Sequence, residues 1–354
     1  MLPVSVFRSI VNGLKYGLST PLRRRLVLTI AILLVLGAVG VEGYRQFFRP
    51  GPSTSTTTIV VPRGLGINRI AELFADRGLL RGVVDRAVFV VGVKLSGNAG
   101  KLMAGEYEFP IAASMRTIMT LMINGETVVH SLTIAEGLTS AQVVAEIQQA
   151  EGLDGPLPVK PEDGTLLPET YHYLWGDKRQ EVLARMRGKM TEAVEALWKE
   201  RSAGAPDDWH KTIVLASIVE KETALATERP HIAAVFLNRL RLGMKLQSDP
   251  TVIYFLSNGS GVFGRPLSKV DLAAVSPYNT YLNAGLPPTP ICNPGRASIA
   301  AVLSPASSDD LYFVADGTGG HVFAKSIKDH NRNVTKWRQV EKNRGVVTHG
   351  EVVP

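Results

Sequence analysis

Polar and apolar positions in the first fifty residues fall into blocks. Residues 26–41 form an uncharged apolar run of 16 residues. A bilayer needs about 17–25 such residues, and Tyr44, Phe47 and Phe48 add interface aromatics, so the pattern predicts a membrane-spanning helix over 26–44. Residues 49–58 (RPGPSTSTTT) have no apolar periodicity and read, with the positions before them, as a linker over 45–57. The pattern then predicts a strand at 59–61, helices at about 67–77 and 83–95, a strand at 105–110 and a helix from its cap Ser114 to Ile123. A Pro/Gly-rich stretch at 152–164 marks a boundary. Past it come an amphipathic helix at 179–202, an almost wholly apolar helix around 213–219 and another helix at 229–242. Gly/Pro loops follow, then a strand at 311–315, a DGTGGH turn and a last helix at 327–344. The fold class expected is α+β.

Two stretches resemble each other. TIVVPRGLGINRIAEL at 58–73 aligns with SLTIAEGLTSAQVVAEI at 131–147: Gly64-Leu65 matches Gly137-Leu138, and Ala71-Glu72 matches Ala145-Glu146 after a one-residue gap. Each copy reads as strand, glycine turn, helix. Such units resemble LysM-like carbohydrate-binding modules; the plainer reading is two unrelated strand–helix units of one α+β domain. The organisation expected is a basic tail (1–25), a transmembrane helix (26–44), a linker (45–57), a LysM-like domain (58–150) and a larger mixed α+β domain (165–345).

Charge orients the chain. Arg8, Lys15, Arg23, Arg24 and Arg25 precede the apolar run with no acid among them, whereas Glu42, Arg45 and Arg49 follow it. The positive-inside rule then leaves the N-terminus in the cytoplasm and exports the bulk. A cleaved signal peptide is the rival, with Ala38-Val39-Gly40 as its cleavage site. The net charge of +7 comes without a basic helix or an aromatic-basic face, so nucleic acid is not the expected partner; anionic lipid or wall polymer suits a basic surface equally well. A single cysteine, Cys292, excludes an intrachain disulfide and supports no cysteine-based zinc site. HExxH, GxSxG, Walker and GxGxxG patterns are absent, so neither a metal nor a cofactor is expected.

The candidate chemistry centres on SIVEKET at 217–223. Glu220 and Glu222 end the apolar helix and, being two residues apart, point to nearly opposite sides. Glu222 shares a stripe with Leu215, Ile218, Val219 and Leu225; Glu220 shares one with Ala216, Ser217, Thr223 and Ala224. An acid on an apolar stripe is desolvated, and its protonated form can act as a general acid near neutral pH. The alternative is an acid at a helix end paired with Lys221 or Arg229. Glu220 is the second choice for catalysis. Four loops add candidates. LLPETY (166–171) offers Glu169 and Tyr171 in an extended segment. LQSDPTVIY (246–254) offers Gln247 and also Asp249, which reads as a helix cap before Pro250. PYNTY (277–281) gathers Tyr278, Asn279 and Tyr281, a set that suits sugar faces and hydroxyls or else simply a turn. GLPPTPICNPG (285–295) reads as a rigid wall. His321 reads as the residue entering a strand.

SIVEKET, FLNRL, LQSDPTVIY, PYNTY, GLPP and LYFVADGTGGHVF, in this order and spacing, resemble the YceG-like endolytic murein transglycosylases (MltG family) over about residues 58–340. The resemblance implies cleavage of peptidoglycan glycan strands with a catalytic glutamate in EKET. Other lytic transglycosylases carry a Gln-Glu-Ser string, which Lys221-Glu222-Thr223 matches best. At LLPETY this chain has Glu169 where the family also uses aspartate. The mechanism implied uses one carboxylate and yields 1,6-anhydro ends, with Glu169, Gln247, Asn279 and Tyr281 holding the ring. Also implied are peptidoglycan synthases as partners and a single-pass inner (plasma) membrane location with the catalytic domain periplasmic or extracytoplasmic. Two other readings stand beside it. One is a hydrolytic muramidase using Asp249 or Glu169 as second carboxylate; the other is a non-catalytic wall-binding scaffold.

Overall fold

A computed structural model describes residues 21–157 and 160–343. The chain forms two compact units that part between Val128 and Val129. The expected tail residues Arg8 and Lys15, and the end of the last predicted helix at Arg344, lie outside the described residues.

In the N-terminal unit, helix α1 (Pro21–Phe48) leads into strand β1 (Thr57–Val61), helices α2 (Ile67–Asp76) and α3 (Gly82–Leu95), strand β2 (Gly105–Phe109) and helix α4 (Met115–Asn124). The two strands pair antiparallel, from Thr57↔Phe109 to Val61↔Gly105. Ser114 caps α4 as predicted, its hydroxyl accepting from the Thr117 amide. One core joins Ile59, Phe74, Phe89, Tyr107, Phe109, Ile118 and Met122. Helix α1 is long and apolar enough to cross a membrane, and its apolar side chains are exposed. It continues past the expected end at residue 44. Phe47 belongs to the N-terminal core and Gln46 is buried. Nor is the following stretch a loose linker. The Gly51 amide donates to Ala112 O at 3.0 Å, the Ala112 amide donates to Ser53 O at 3.0 Å, and a Cβ on Gly51 would stand 2.3 Å from Ala113 O.

The C-terminal unit takes the second strand–helix copy, so the division falls at 128/129 and not after 150. Strand β3 (Val129–Thr133) pairs antiparallel with β4 (Thr170–Leu174), and α5 (Ser140–Gln149) follows a left-handed turn at Gly137, φ 77°. The repeat is real in outline, since β1 also reaches its helix through a left-handed glycine, Gly64 at φ 82°. Each copy completes its sheet with a later strand of its own unit. The Pro/Gly-rich stretch is a loop of this unit and no boundary; Asp163 within it is buried, accepting from the Ser140 amide and the Tyr254 hydroxyl.

Helices α6 (Arg179–Trp198), α7 (Trp209–Glu222), α8 (Arg229–Arg241) and α9 (Asp249–Leu256) follow, then the short α10 (Lys269–Leu272) and α11 (Arg296–Leu303). Asp208 caps α7, accepting from the Lys211 amide at 2.8 Å. Helix α7 runs through the core, where Leu215, Ala216, Ile218 and Val219 meet Ile232, Ala233 and Phe236 of α8 and Ile299 and Val302 of α11. Small residues at these contacts let the helices approach closely. The hairpin of β5 (Tyr312–Ala315) and β6 (His321–Ala324) turns through Gly317 and Gly319, both left-handed, as the glycine-rich string predicts. Helix α12 (Ile327–Asn343) completes the unit.

Candidate active site

Residues 214 to 219 of α7 are all buried, so both sides of the helix lie in the core. The stripe argument therefore loses its power to separate the two glutamates; their local partners separate them.

Glu220 is the buried one, its side chain only 4% exposed. Its carboxylate accepts from Arg229 Nη2 at 2.9 Å and from the Gly295 amide at 2.8 Å, and the same guanidinium reaches Glu136 Oε2 at 3.0 Å. Burial pushes the Glu220 carboxyl above its ordinary range, against the pull of the Gly295 amide and the Arg229 charge. Gly295 caps α11, and a Cβ there would stand 1.8 Å from Glu136 Oε1. Glu220 thus ties together α7, α8, α11 and the link from β3 to α5. The pairing with Arg229 that the sequence offered as an alternative is real, and it belongs to Glu220.

Glu222 occupies the last position of α7, before Thr223 swings into extended backbone at φ −142°. It is half-buried, and the Ser248 hydroxyl donates to its Oε1 at 2.5 Å. Ser248 is held in turn. Its amide donates to Thr280 Oγ1 at 3.0 Å, and the Gln247 amide donates to Thr280 O at 3.1 Å. The Tyr281 hydroxyl donates to Asp249 Oδ1 at 2.6 Å. The two loops beside the acid are therefore laced to each other. Gln247 sits in the left-handed region at φ 51°, which costs a side-chain-bearing residue about 1–3 kcal/mol. Such strain persists where the surroundings fix it, and here both neighbours in the lacing are hydrogen-bonded.

Arg239 of FLNRL belongs to this site and sequence reasoning missed it. It is buried, donating from Nη1 to Leu246 O at 2.8 Å and from Nε to Leu311 O at 2.6 Å. Burial draws its pKa down, while the negative field of Glu222 is among the influences that oppose the shift. Arg239 thus fixes the 246–248 loop against β5 and sets a positive charge in the field of the acid. The available signal was its place three and four residues after Phe236 and Val235, on the buried face of α8. Ser248 was also missed, although it lies between two candidates already named.

The other candidates divide. Gln247, Asp249 and Tyr281 gather beside Ser248 at half-buried positions. Asp249 opens α9, as its reading as a cap suggested, but the cap position itself is Ser248. Asn279 is fully buried and its amide is spent within its own loop: Nδ2 donates to Leu272 O and Ala274 O, and Oδ1 accepts from the Tyr281 amide. It shapes the loop and does not face a ligand. Tyr278 turns toward Tyr254 and Thr289, its hydroxyl 2.7 Å from Thr289 Oγ1. Tyr171 is a core residue whose hydroxyl donates to Leu167 O at 2.6 Å, and burial raises its phenol. It offers no sugar platform. Glu169 is exposed where β4 begins, its carbonyl accepting from the Ile134 amide.

His321 enters β6 as predicted and also forms a pair that the sequence did not suggest. Its Nδ1 lies 2.7 Å from Glu228 Oε2, and its amide donates to Glu228 Oε1 at 2.8 Å. Against a desolvation that raises it, these bonds and the Thr223 hydroxyl hold Glu228 below the ordinary carboxylate range. The pair fastens the β5–β6 hairpin to the segment just beyond Glu222. The arrangement as a whole is a carboxyl group at a helix end, hydrogen-bonded by a serine and flanked by a buried guanidinium and by rigid loops that also carry Asp249. It can deliver and retrieve a proton at a fixed point.

The profile of the YceG-like family matches residues 59–336. An endolytic murein transglycosylase of Bacillus subtilis is 30% identical over 337 residues, an alignment covering 86% of this chain and 91% of that protein. One from Streptococcus pneumoniae is 28% identical over 87% of this chain, which spans 64% of the pneumococcal protein's length. A crystal structure of a YceG-like protein from Listeria monocytogenes, 31% identical, aligns over 79% of this chain and 99% of that one with a TM-score of 0.48.

Proposed function

This chain belongs to the YceG-like family, and from that premise we propose that it is an endolytic murein transglycosylase with Glu222 as its acid and base. The observation that carries the assignment of Glu222 is its bond from Ser248 among laced, half-buried polar side chains, while Glu220 is consumed by Arg229 and Gly295.

The protonated Glu222 gives its proton to the glycosidic oxygen between N-acetylmuramic acid and N-acetylglucosamine. The bond from that oxygen to C1 breaks. The C6 hydroxyl of the same muramic acid closes on C1, and the Glu222 carboxylate takes the hydroxyl proton. The acid returns to its starting state, and a 1,6-anhydro end replaces the glycosidic bond. Water is not consumed, so the step requires no second carboxylate to activate it. Ser248 orients the carboxyl, and Arg239 holds the loop that carries Ser248. Gln247, Asp249 and Tyr281 are the side chains placed to hold a sugar ring beside it.

The β–α–α–β order of the N-terminal unit supports a LysM-like, glycan-holding role for residues 57–109. With α1 as an anchor and arginines at its start, the N-terminus lies in the cytoplasm and both units face the wall; peptidoglycan synthases are partners in keeping with that location. The reaction is tested by digesting purified glycan strands in heavy-oxygen water. Unlabelled 1,6-anhydro muramic ends are expected. Labelled, hydrated ends would replace the reading with a muramidase.

A further inference from the structure

Helix α3 has two unlike faces. Asp85, Phe89 and Val93 recur four apart and are buried. Val84, Val91 and Leu95 form another stripe, 65%, 53% and 84% exposed, while Val88 between them is half-buried and packs against the core. Valine and leucine at such exposure on one stripe are not what a solvated helix face presents.

Helix α1 lies against the flank between these faces. The Gln46 side-chain amide donates to Asp85 Oδ1, Arg49 Nη2 lies 3.4 Å from the same oxygen, and Phe47 fills the space beside Gly92, where a Cβ would stand 2.5 Å from its ring. Asp85 and Gly92 are each one residue on from Val84 and Val91, so the contact lies about 100° round the helix from the apolar stripe. The buried stripe points into the core of the unit, and Val84, Val91 and Leu95 lie outside it. From Val41, where the apolar run ends, to Phe47 is about 9 Å of helix, and the headgroup layer is about 5–7 Å deep. With a helix radius of about 5 Å, the side of α3 that faces the bilayer stands a few Å from the hydrocarbon edge when α1 crosses upright. Tyr44 and Phe48 are exposed at the same level. Asp85, the sole acid of α3, is buried, whereas Arg81 and Lys94 are exposed beside the stripe.

We propose that α3 rests in the lipid interface of an anionic membrane, its Val84–Leu95 stripe in the headgroup layer, so that the N-terminal unit lies on the bilayer and does not swing from it. Apolar side chains flanked by cations are the composition of an interfacial helix. The inference depends on α1 being a retained span, a reading that the test examines separately.

The full chain is reconstituted in phosphatidylglycerol–phosphatidylethanolamine vesicles after a single thiol has been placed by Leu95→Cys, Val84→Cys or Leu36→Cys and given an environment-sensitive fluorophore. Native Cys292 is buried and stays unlabelled. Lipids with a nitroxide in the headgroup should quench the probes at positions 95 and 84, and lipids with a nitroxide deep in the chain should quench the probe at position 36. Full emission at 95 and 84 with deep quenching at 36 would overturn the proposal and leave the anchor intact. Full emission at 36 would remove the anchor and the proposal together.

Discussion

At the residue scale, the two glutamates of one helix end are told apart by partners and not by position. Glu222→Gln keeps size and hydrogen bonding but removes the titrating proton, so turnover of glycan strands should fall at least about a hundredfold with melting temperature unchanged. Glu220→Gln should do the reverse. It leaves Arg229 buried with half its pairing, at a cost of about 1–3 kcal/mol read as a lower melting temperature, while the folded enzyme keeps most of its rate. The sign of the pH dependence follows from burial. Folding raises the Glu220 pKa, so the folded state binds that proton more tightly, and the group's contribution is greatest below the usual carboxylate range and declines as pH rises through it. Glu220→Gln does not titrate there, so wild type should gain stability relative to it toward acid pH and the gap between them should widen. A gap that narrows toward acid pH would contradict the assignment. Loss of rate in Glu220→Gln but not in Glu222→Gln would exchange their roles. The sequence could name both acids because EKET is local. It could not choose by stripe, because α11 covers the face that looked merely small.

At the element scale, helices and strands were legible wherever periodicity and caps agreed: Ser114 before α4 and the glycines of the β5–β6 turn. What escaped was which element shares a core with which. The two strand–helix copies look alike because each needs the same left-handed glycine between strand and helix, yet β1 closes on β2 and β3 on β4. Those pairings are long-range and leave no local mark. The same holds for loop residues. PYNTY looks like a sugar-binding set, but Asn279 is absorbed by carbonyls five and seven residues away; likewise Tyr171 of LLPETY is absorbed by the core. The Pro/Ser/Thr composition of residues 49–58 reads as a tether because composition carries no trace of the backbone bonds from Gly51 and Ser53 to Ala112. A direct check is Gly51→Ala. If the segment is strapped to the unit, the added Cβ meets the Ala113 carbonyl, and the unit should lose about 1–3 kcal/mol in denaturant or thermal melts. A free tether would tolerate the change. Gln247→Gly probes the other strained element. Relief of the left-handed strain should raise stability by up to about 1 kcal/mol, while removal of the amide should raise KM for glycan strands. Unchanged KM would reduce Gln247 to a backbone device.

At the scale of the whole molecule, the question is whether the chain stays attached to its membrane and on which side it works. Arg24 and Arg25 open the candidate span, and with the tail arginines and lysine before them the positive-inside rule predicts a cytoplasmic start for α1. A reporter fused after Pro354 should then be active only outside the cytoplasm, and the protein should stay in the membrane pellet after a high-salt wash. Salt strips proteins held by surface charge but not one held by a span, because Debye screening weakens the first interaction and leaves apolar burial untouched. The rival, cleavage within Ala38–Gly40, makes a distinct prediction. Phe47 lies in the N-terminal core, so a processed protein would still fold and would appear in the soluble fraction with a new terminus near Val41. Its recovery at that size would replace the anchor with a signal peptide. Recovery of the full-length chain from the pellet alone would leave an enzyme restricted to the glycan within reach of its anchor.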